Sequence, residues 1–138
     1  MAQIKRLNPA TILVVEDDAL VQLELADWLA DLGLTVLTAD NADQAIELLD
    51  SHPQIDLLLT DIRMPGTMDG IRLAHHVAER WPPVKIVVLS GLFRTPLCEL
   101  PPNSLFVPKP YRPEELWRAL APKQSRTARQ RGVGAAVG

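Results

Sequence analysis

The sequence predicts an α/β fold, a doubly wound parallel sheet of five strands with helices on both faces. Short apolar runs rich in Val, Ile and Leu alternate with segments of helical periodicity through most of the 138 residues. Continuous apolar runs are typical of strands buried on both faces, and their alternation with helices favours parallel pairing. The hydrophobic content of 47% and the chain length suit one domain with one core.

Five segments have the composition of strands. The clearest, Ile12–Val15, is an uninterrupted aliphatic run that predicts a fully buried strand. The remaining strands are predicted, in chain order, at Thr35–Ala39, Ile55–Thr60, Lys85–Ser90 and the shorter Leu105–Val107.

Four further segments have helical periodicity or signals that start a helix. In chain order they are Ala19–Leu32, Ala42–Ser51, Gly70–Trp81 and Pro113–Leu120. Asn41 with Gln44 predicts a capping box at the second helix, and Gly33 predicts a left-handed stop after the first. Asp18 and Asp69 are expected to cap the first and third helices rather than to bind a ligand.

The stretch Leu92–Ser104 interrupts this alternation of strands and helices. It contains Pro96, Pro101 and Pro102, and its apolar residues follow no clean period. Because proline lacks a backbone donor and disrupts a helix interior, we expect a reduced or irregular fourth helix here.

The chain divides into an N-terminal extension (residues 1–10), a folded domain (11–121) and a basic tail (122–138). The tail carries four basic residues and no acid, which leaves ten basic against 17 acidic residues in the rest of the chain. An acidic domain lacks the basic face that nucleic acids require, so we expect no nucleic-acid partner. The Gly, Ala, Ser and Gln content of the tail predicts disorder.

The cysteine content and the lengths of the apolar runs indicate where the protein works. Cys98 is the only cysteine, so no intramolecular disulfide forms, as is typical of a reducing compartment. No stretch approaches the roughly 18 apolar residues that span a bilayer. We therefore expect a cytoplasmic protein without a membrane partner.

Polar residues follow the carboxyl ends of four predicted strands. They are Glu16, Asp17 and Asp18 after the first strand, Asp61 after the third, Ser90 at the end of the fourth and Lys109 after the fifth. In an open parallel sheet, ligands bind outside the carboxyl ends of the strands. We therefore expect acids, a hydroxyl and an amine to meet at one edge of the sheet, the acidic rim.

The acidic rim predicts Mg²⁺-dependent phosphoryl transfer to Asp61. Crowded carboxylates repel one another, which raises their pKa values or requires a cation. Mg²⁺ prefers oxygen ligands and is often held by one or two carboxylates together with phosphate oxygens. The Asp61 carboxylate can then attack phosphorus as a nucleophile, while Lys109 and the Ser90 hydroxyl contact the phosphoryl oxygens.

Five motifs together resemble the response-regulator receiver family. They are Ile12-Leu13-Val14-Val15-Glu16-Asp17-Asp18, Thr60-Asp61-Ile62-Arg63-Met64-Pro65-Gly66, Met68-Asp69-Gly70, Leu89-Ser90-Gly91 and Lys109-Pro110-Tyr111. The resemblance covers Thr11–Leu120 and depends on the order and spacing of all five motifs. It implies a flavodoxin-like receiver fold with strand order 2-1-3-4-5. It also implies a phosphorelay receiver, which receives its phosphoryl group from a histidine kinase or histidine phosphotransferase. The short tail after Pro122 leaves no room for an output domain, so we expect either a piece of a hybrid kinase or, as the starting methionine favours, a stand-alone response regulator.

The resemblance implies a role for each residue that matches the family's metal site. Asp61 matches the phosphoacceptor, which is also a metal ligand. Asp17 matches the direct Mg²⁺ ligand and Glu16 the acid that binds through water. The backbone carbonyl of Arg63 completes the protein ligands that the resemblance implies.

The resemblance also implies the residues of a conformational switch. Ser90 matches the hydroxyl that moves to the phosphoryl group, and Lys109 matches the lysine that contacts it. Phe106 takes the place of the aromatic side chain that rotates on phosphorylation. The Lys109–Pro110 bond is often cis in the family.

Two features depart from the family's usual pattern. Gly66–Thr67 makes the loop after Asp61 one residue longer than in many relatives, which affects access to this residue. The proline-rich stretch Leu92–Ser104 is short in a region that normally forms much of the output face. The downstream protein that reads this receiver therefore stays unidentified.

Three alternative functions share part of this pattern. A degenerate receiver would bind partners without phosphorylation, but the intact acids, Ser90 and Lys109 argue against it. A haloacid-dehalogenase-like Mg²⁺-dependent phosphatase normally has an Asp-x-Asp motif after the first strand, which Glu16-Asp17-Asp18 does not provide. The same acids would repel the phosphate of a flavodoxin-like electron carrier. We therefore expect a signalling domain that catalyses only its own phosphorylation and dephosphorylation, rather than an enzyme.

Overall fold

Five strands and four helices lie within the residues that the computed structural model describes, which are 10–63, 68–91 and 99–121. The strands are β1 (Thr11–Val15), β2 (Thr35–Ala39), β3 (Ile55–Asp61), β4 (Lys85–Ser90) and β5 (Leu105–Pro108). The helices are α1 (Ala19–Asp31), α2 (Ala42–Ser51), α3 (Gly70–Arg80) and α4 (Pro113–Leu120). Each strand and helix predicted from the sequence is confirmed, with ends that differ by a single residue at most.

The strands form one parallel sheet in the order β2-β1-β3-β4-β5. This order confirms the doubly wound fold and the strand order that the resemblance implied. The chain runs from β1 outward to β2 and then crosses back to β3 on the other side of β1. The carboxyl ends of neighbouring strands are level, since Asp61 pairs with Leu89 and Ser90 pairs with Pro108.

Different pairs of helices cover the two faces of the sheet. Ile12 and Val14 belong to an apolar cluster with residues of α1 and α4, whereas Leu13 and Val15 belong to a cluster with α2 and α3. Successive side chains of a strand point to opposite faces, so one aliphatic run contributes to both clusters. All four side chains are at most 1% exposed, which confirms the burial predicted for this strand.

Polar side chains and one glycine delimit the helices as predicted. Asp18 Oδ1 accepts a hydrogen bond from the Leu20 N–H at 3.0 Å, and Asp69 Oδ1 accepts one from the Arg72 N–H at 3.0 Å. Both aspartates are therefore N-caps. Gly33 has a φ of 99°, which confirms the left-handed stop after α1.

The capping box predicted at α2 is only half correct. Asn41 Oδ1 accepts from the Gln44 N–H at 2.9 Å, as expected of an N-cap. Gln44 Oε1, however, accepts from the Asp40 N–H at 2.8 Å instead of from Asn41. The glutamine side chain reaches one residue further back and so joins α2 to the residue that follows β2.

Several predictions concern residues outside the described ranges. These are the longer loop at Gly66–Thr67, most of the stretch Leu92–Ser104 where we expected an irregular helix, residues 1–9 of the N-terminal extension and the basic tail. The end of that stretch is described: Leu100 is buried in the cluster with α2 and α3, and the Ser104 N–H donates to the Pro101 carbonyl. The longest described helix, α1, has 13 residues. No helix in the described ranges could cross a membrane.

Candidate functional site

Four predicted residues lie at the carboxyl ends of four strands. Glu16 follows β1, Asp61 ends β3, Ser90 ends β4 and Lys109 follows β5. The Lys109 N–H donates to the Ser90 carbonyl at 2.7 Å, which fixes the end of β5 against the end of β4. The acidic rim expected from the sequence is therefore present at one edge of the sheet.

Asp61 has a donor for each of its carboxylate oxygens. Lys109 Nζ lies 2.6 Å from Oδ2, and the Arg63 N–H donates to Oδ1 at 3.2 Å. Asp61 is only 8% exposed. The ion pair with Lys109 therefore balances the charge of a nearly buried acid, which would otherwise be costly to keep ionised.

Lys109 is held in its charged form. Burial acts to lower its pKa, because it disfavours an ammonium group. The hydrogen bond and the charge of Asp61, together with the charge of Glu16, outweigh burial and raise the pKa of Lys109 above 10.5. The Lys109–Pro110 peptide bond is cis, as the resemblance implied.

Glu16 is the buried acid of the rim, with 4% of its surface exposed. Its Oε2 accepts from the Asp18 N–H at 3.0 Å, whereas Oε1 has no hydrogen-bond partner among the described residues. Burial raises the pKa of Glu16 from 4.5 to about 7 despite the opposing Asp18 amide, and the charge of Asp61 adds to the rise. A buried, unpaired carboxylate oxygen beside a second acid favours either a proton or a cation.

The oxygen donors at this rim fit Mg²⁺. Glu16 and Asp61 are neighbours in the rim, Asp17 is exposed beside them, and the Arg63 carbonyl lies two residues after Asp61. Within the described ranges, no three side chains of His, Cys, Asp or Glu are gathered closely enough to hold a metal by themselves. A Mg²⁺ ion here would take further ligands from a backbone carbonyl and water, as Mg²⁺ commonly does in proteins.

The two remaining switch candidates lie on the neighbouring strands β4 and β5. Ser90 is 5% exposed at the end of β4. Phe106 pairs with Val88 and is half-buried against the cluster that contains α2 and α3. Ser90 at the rim and Phe106 on this face of the sheet therefore lie on directly paired strands.

Three residues near the rim have no role assigned from the sequence. Gln22 on α1 donates from its side chain to backbone carbonyls that follow β1 and end β2. A Cβ at Gly70 would overlap the Asp61 carbonyl oxygen and come within 2.7 Å of the Ile62 Cα, so α3 requires glycine here. Burial raises the pKa of Tyr111, and the charges of the two rim acids contribute to the rise. Gly70 and Tyr111 both stand in motifs, whereas Gln22 gave no sequence signal, since its contacts depend on how α1 docks.

Comparisons with known sequences place the chain among receivers. The family model described as the response regulator receiver domain matches residues 12–121. The DNA-binding transcriptional regulator NtrC of Escherichia coli K12 is 38% identical over 80 residues, which cover 58% of this chain and 17% of NtrC. The sensor protein TorS of the same strain is 30% identical over 122 residues, covering 86% of this chain and 13% of TorS. The chain spans about a sixth or less of the length of these two relatives.

Solved structures lead to the same family. A response regulator receiver protein from Sinorhizobium medicae WSM419 superposes with a TM-score of 0.75 at 32% identity, covering 88% of this chain and 98% of that one. The signal receiver domain of an HD domain-containing protein from Pseudomonas fluorescens Pf-5 gives a TM-score of 0.75 at 25% identity, covering 88% and 97%. The similarity in both cases extends over nearly the whole of the compared domain.

Proposed function

This chain belongs to the response regulator receiver family, and we propose from that premise that Asp61 is its phosphoryl acceptor. Receivers are the signalling domains of two-component systems. The observation that supports Asp61 is its pairing with Lys109: a nearly buried carboxylate has an ammonium group 2.6 Å away and a second buried acid, Glu16, beside it. Such an arrangement is typical of groups kept for chemistry, because it is costly as a structural feature alone.

We assign the metal site to Glu16, Asp17, Asp61 and the Arg63 backbone carbonyl. In this proposal Asp17 is the direct ligand and Glu16 binds through water. The unpaired Glu16 Oε1 supports the assignment, because a buried carboxylate oxygen requires a partner that the described residues do not supply. When bound, Mg²⁺ would neutralise these carboxylates and stabilise negative charge on the phosphoryl oxygens.

The proposed transfer forms one bond to phosphorus and breaks another. A carboxylate oxygen of Asp61 attacks the phosphorus of a phosphohistidine, the P–N bond breaks, and the imidazole leaves with the bonding electrons. The product is a mixed anhydride of Asp61 and phosphate. Lys109 Nζ, already 2.6 Å from Oδ2, and the Ser90 hydroxyl then bond the phosphoryl oxygens. Attack by water later releases phosphate and restores the Asp61 carboxylate.

The switch is assigned to Ser90, Phe106, Lys109 and Pro110. Movement of the Ser90 hydroxyl toward the phosphoryl group changes the packing at the end of β4. Phe106 on the adjacent strand responds by rotating, and Pro110 directly follows the lysine that contacts the phosphoryl group. A downstream protein then reads the altered face of the domain.

The phosphoryl donor is a histidine kinase or a histidine phosphotransferase. TorS is described as a sensor protein, and the part of it that matches this chain is a small fraction of its length. NtrC is described as a DNA-binding regulator, but the acidic receiver itself is expected to contact proteins rather than DNA. We expect this receiver to process no substrate other than its own phosphoryl group.

Phosphorylation with a small donor tests this proposal. The parent protein and the variants Asp61→Asn and Asp69→Asn are each mixed with acetyl phosphate and Mg²⁺, and intact masses are measured. Asp69→Asn is the control for Asp61→Asn, because it makes the same exchange at another aspartate. Asp69 caps α3, and asparagine caps a helix equally well.

We expect an acid-stable, base-labile adduct of a single phosphoryl group on the parent and on Asp69→Asn. Asp61→Asn should carry none, and omission of Mg²⁺ should suppress the adduct on the other two. Equal modification of the parent and Asp61→Asn would refute the assignment of Asp61. A parent that takes up no phosphoryl group from acetyl phosphate, and binds no beryllofluoride, would support the degenerate receiver instead.

A further inference from the structure

Gln22 joins the ends of β1 and β2 from its position on α1. Its Nε2 lies 2.9 Å from the Glu16 carbonyl oxygen, 3.1 Å from the Ala39 carbonyl oxygen and 3.0 Å from Asp40 Oδ1. Side chains on a helix lean toward its N-terminus, so Gln22, one turn after the N-cap Asp18, reaches back to residues that precede the helix.

The bond to the Glu16 carbonyl fixes the peptide plane between Glu16 and Asp17. The peptide unit is planar, so the direction of the Glu16 carbonyl also sets the direction of the Asp17 N–H and the position of the Asp17 Cα. The two Cα positions determine where both acidic side chains leave the backbone. Gln22 therefore acts on two proposed metal ligands through their shared peptide unit.

Other bonds complete the support of the segment Glu16–Asp18, here called the acid loop. The Glu16 N–H donates at 3.1 Å to the same Ala39 carbonyl that Gln22 bonds. The Asp18 N–H donates to Glu16 Oε2 at 3.0 Å, which leaves Oε1 available to bind the metal through water. The acid loop is thus supported from within by its own amides and from outside by the Gln22 side chain.

We infer that Gln22 is a positioning residue for the metal site, because its amide holds the Glu16 carbonyl and thereby aims the carboxylates of Glu16 and Asp17. The inference rests on the proposed function, since it takes these acids as Mg²⁺ ligands. Partners that orient metal ligands typically contribute about 10- to 100-fold to metal affinity. Gln22 bonds the Glu16 backbone carbonyl and not the carboxylates themselves. Its loss should therefore weaken Mg²⁺ binding by the lower end of this range, roughly tenfold.

A purely structural role would have a different signature. Gln22 also bonds Ala39 and Asp40, and these bonds alone would join α1 to β2. If Gln22 only connected these two elements, loss of its hydrogen bonds would lower the unfolding free energy and leave the Mg²⁺ dissociation constant unchanged. Metal affinity therefore separates the two roles.

The test compares Gln22→Met with Gln44→Met. Methionine matches glutamine in length and is a good helix former but has no N–H donor. Gln44 occupies a similar place on α2 and bonds Asp40 rather than Glu16, so it is a matched control. MgCl₂ is titrated into each protein, and the amide NMR shifts of residues 16–18 and 61 give the dissociation constant. Hydrogen exchange of the Asp18 amide in metal-free protein measures the order of the acid loop.

Gln22→Met is expected to bind Mg²⁺ roughly tenfold more weakly than the parent and to exchange its Asp18 amide faster. Gln44→Met should match the parent in both measurements. Equal affinity of Gln22→Met and the parent would overturn the inference while leaving the proposed function intact, and so would equal weakening in both variants. Absence of Mg²⁺-dependent shifts in the parent would instead overturn the metal site, and the inference with it.

Discussion

At the residue scale, one lysine lies near two buried acids and forms an ion pair with only one of them. Lys109 is paired with Asp61, and Glu16 keeps an oxygen without a partner among the described residues. Glu16 is therefore buried without a paired cation, and this burial raises its pKa to about 7. The sequence predicted both acids at the rim. It did not predict how deeply each is buried, because that depends on how the helices cover the strand ends.

Glu16 should make the metal-free protein less stable as the pH rises. Its pKa is about 7 in the folded protein against an ordinary 4.5, so between these values the folded state binds more protons than the unfolded state. The stabilisation from the protonated acid is complete below pH 4.5 and is lost as the pH rises through about 7. We expect a loss of about 3 kcal/mol, because a difference of one pKa unit between the two states corresponds to about 1.4 kcal/mol.

Urea unfolding in EDTA between pH 4.5 and 8 measures this loss in the parent and in Glu16→Gln. Glutamine cannot ionise, so the variant should lack this part of the pH dependence and should gain stability relative to the parent toward pH 8. Parallel pH profiles for the two proteins would show that Glu16 is not the titrating group.

At the element scale, α3 docks against the end of β3 through a glycine. The Gly70 N–H donates to the Ile62 carbonyl at 2.8 Å, and a Cβ at position 70 would overlap the Asp61 carbonyl oxygen. The start of α3 therefore contacts the backbone of the proposed phosphoacceptor directly. This contact restrains the backbone at Asp61 and Ile62.

Gly70→Ala should lower the unfolding free energy by about 1–3 kcal/mol, because the added methyl group forces α3 away from β3. Gly91→Ala is the matched control: its Cβ would meet only Lys109 Cδ, at 3.9 Å, which is an ordinary contact. That variant should stay within about 0.5 kcal/mol of the parent. Urea unfolding of the three proteins decides the matter, and equal stability of both variants would disprove the crowding at Gly70.

The helices and strands were predictable because their signals are local. The aliphatic run of β1 and the aspartate caps depend on neighbouring residues alone. The contacts of Gln22 and Gly70 depend on how helices dock against the strand ends, so the pattern of neighbouring residues does not predict them. The error at Gln44 is a choice between two adjacent amides, because its Oε1 accepts from the Asp40 N–H rather than from the N–H of the N-cap Asn41.

At the scale of the whole molecule, the topology explains why the chemistry lies at one edge. The chain leaves β1 toward β2 on one side and returns to β3 on the other, and ligands of open parallel sheets bind outside the strand ends where the strand order reverses in this way. Apolar periodicity predicted the sheet and its two helical layers, but it cannot order strands. The order 2-1-3-4-5 came from the resemblance of the motifs to receivers and is confirmed by the structure.

The most direct test of the central claim is to locate the phosphoryl group chemically. Borohydride reduces an aspartyl phosphate to homoserine, which peptide mass spectrometry assigns to a single position. After treatment with acetyl phosphate and Mg²⁺, we expect homoserine at position 61 and at no other acid, with none formed when Mg²⁺ is withheld. Homoserine at Asp17 or another acid, with Asp61 unmodified, would contradict the account.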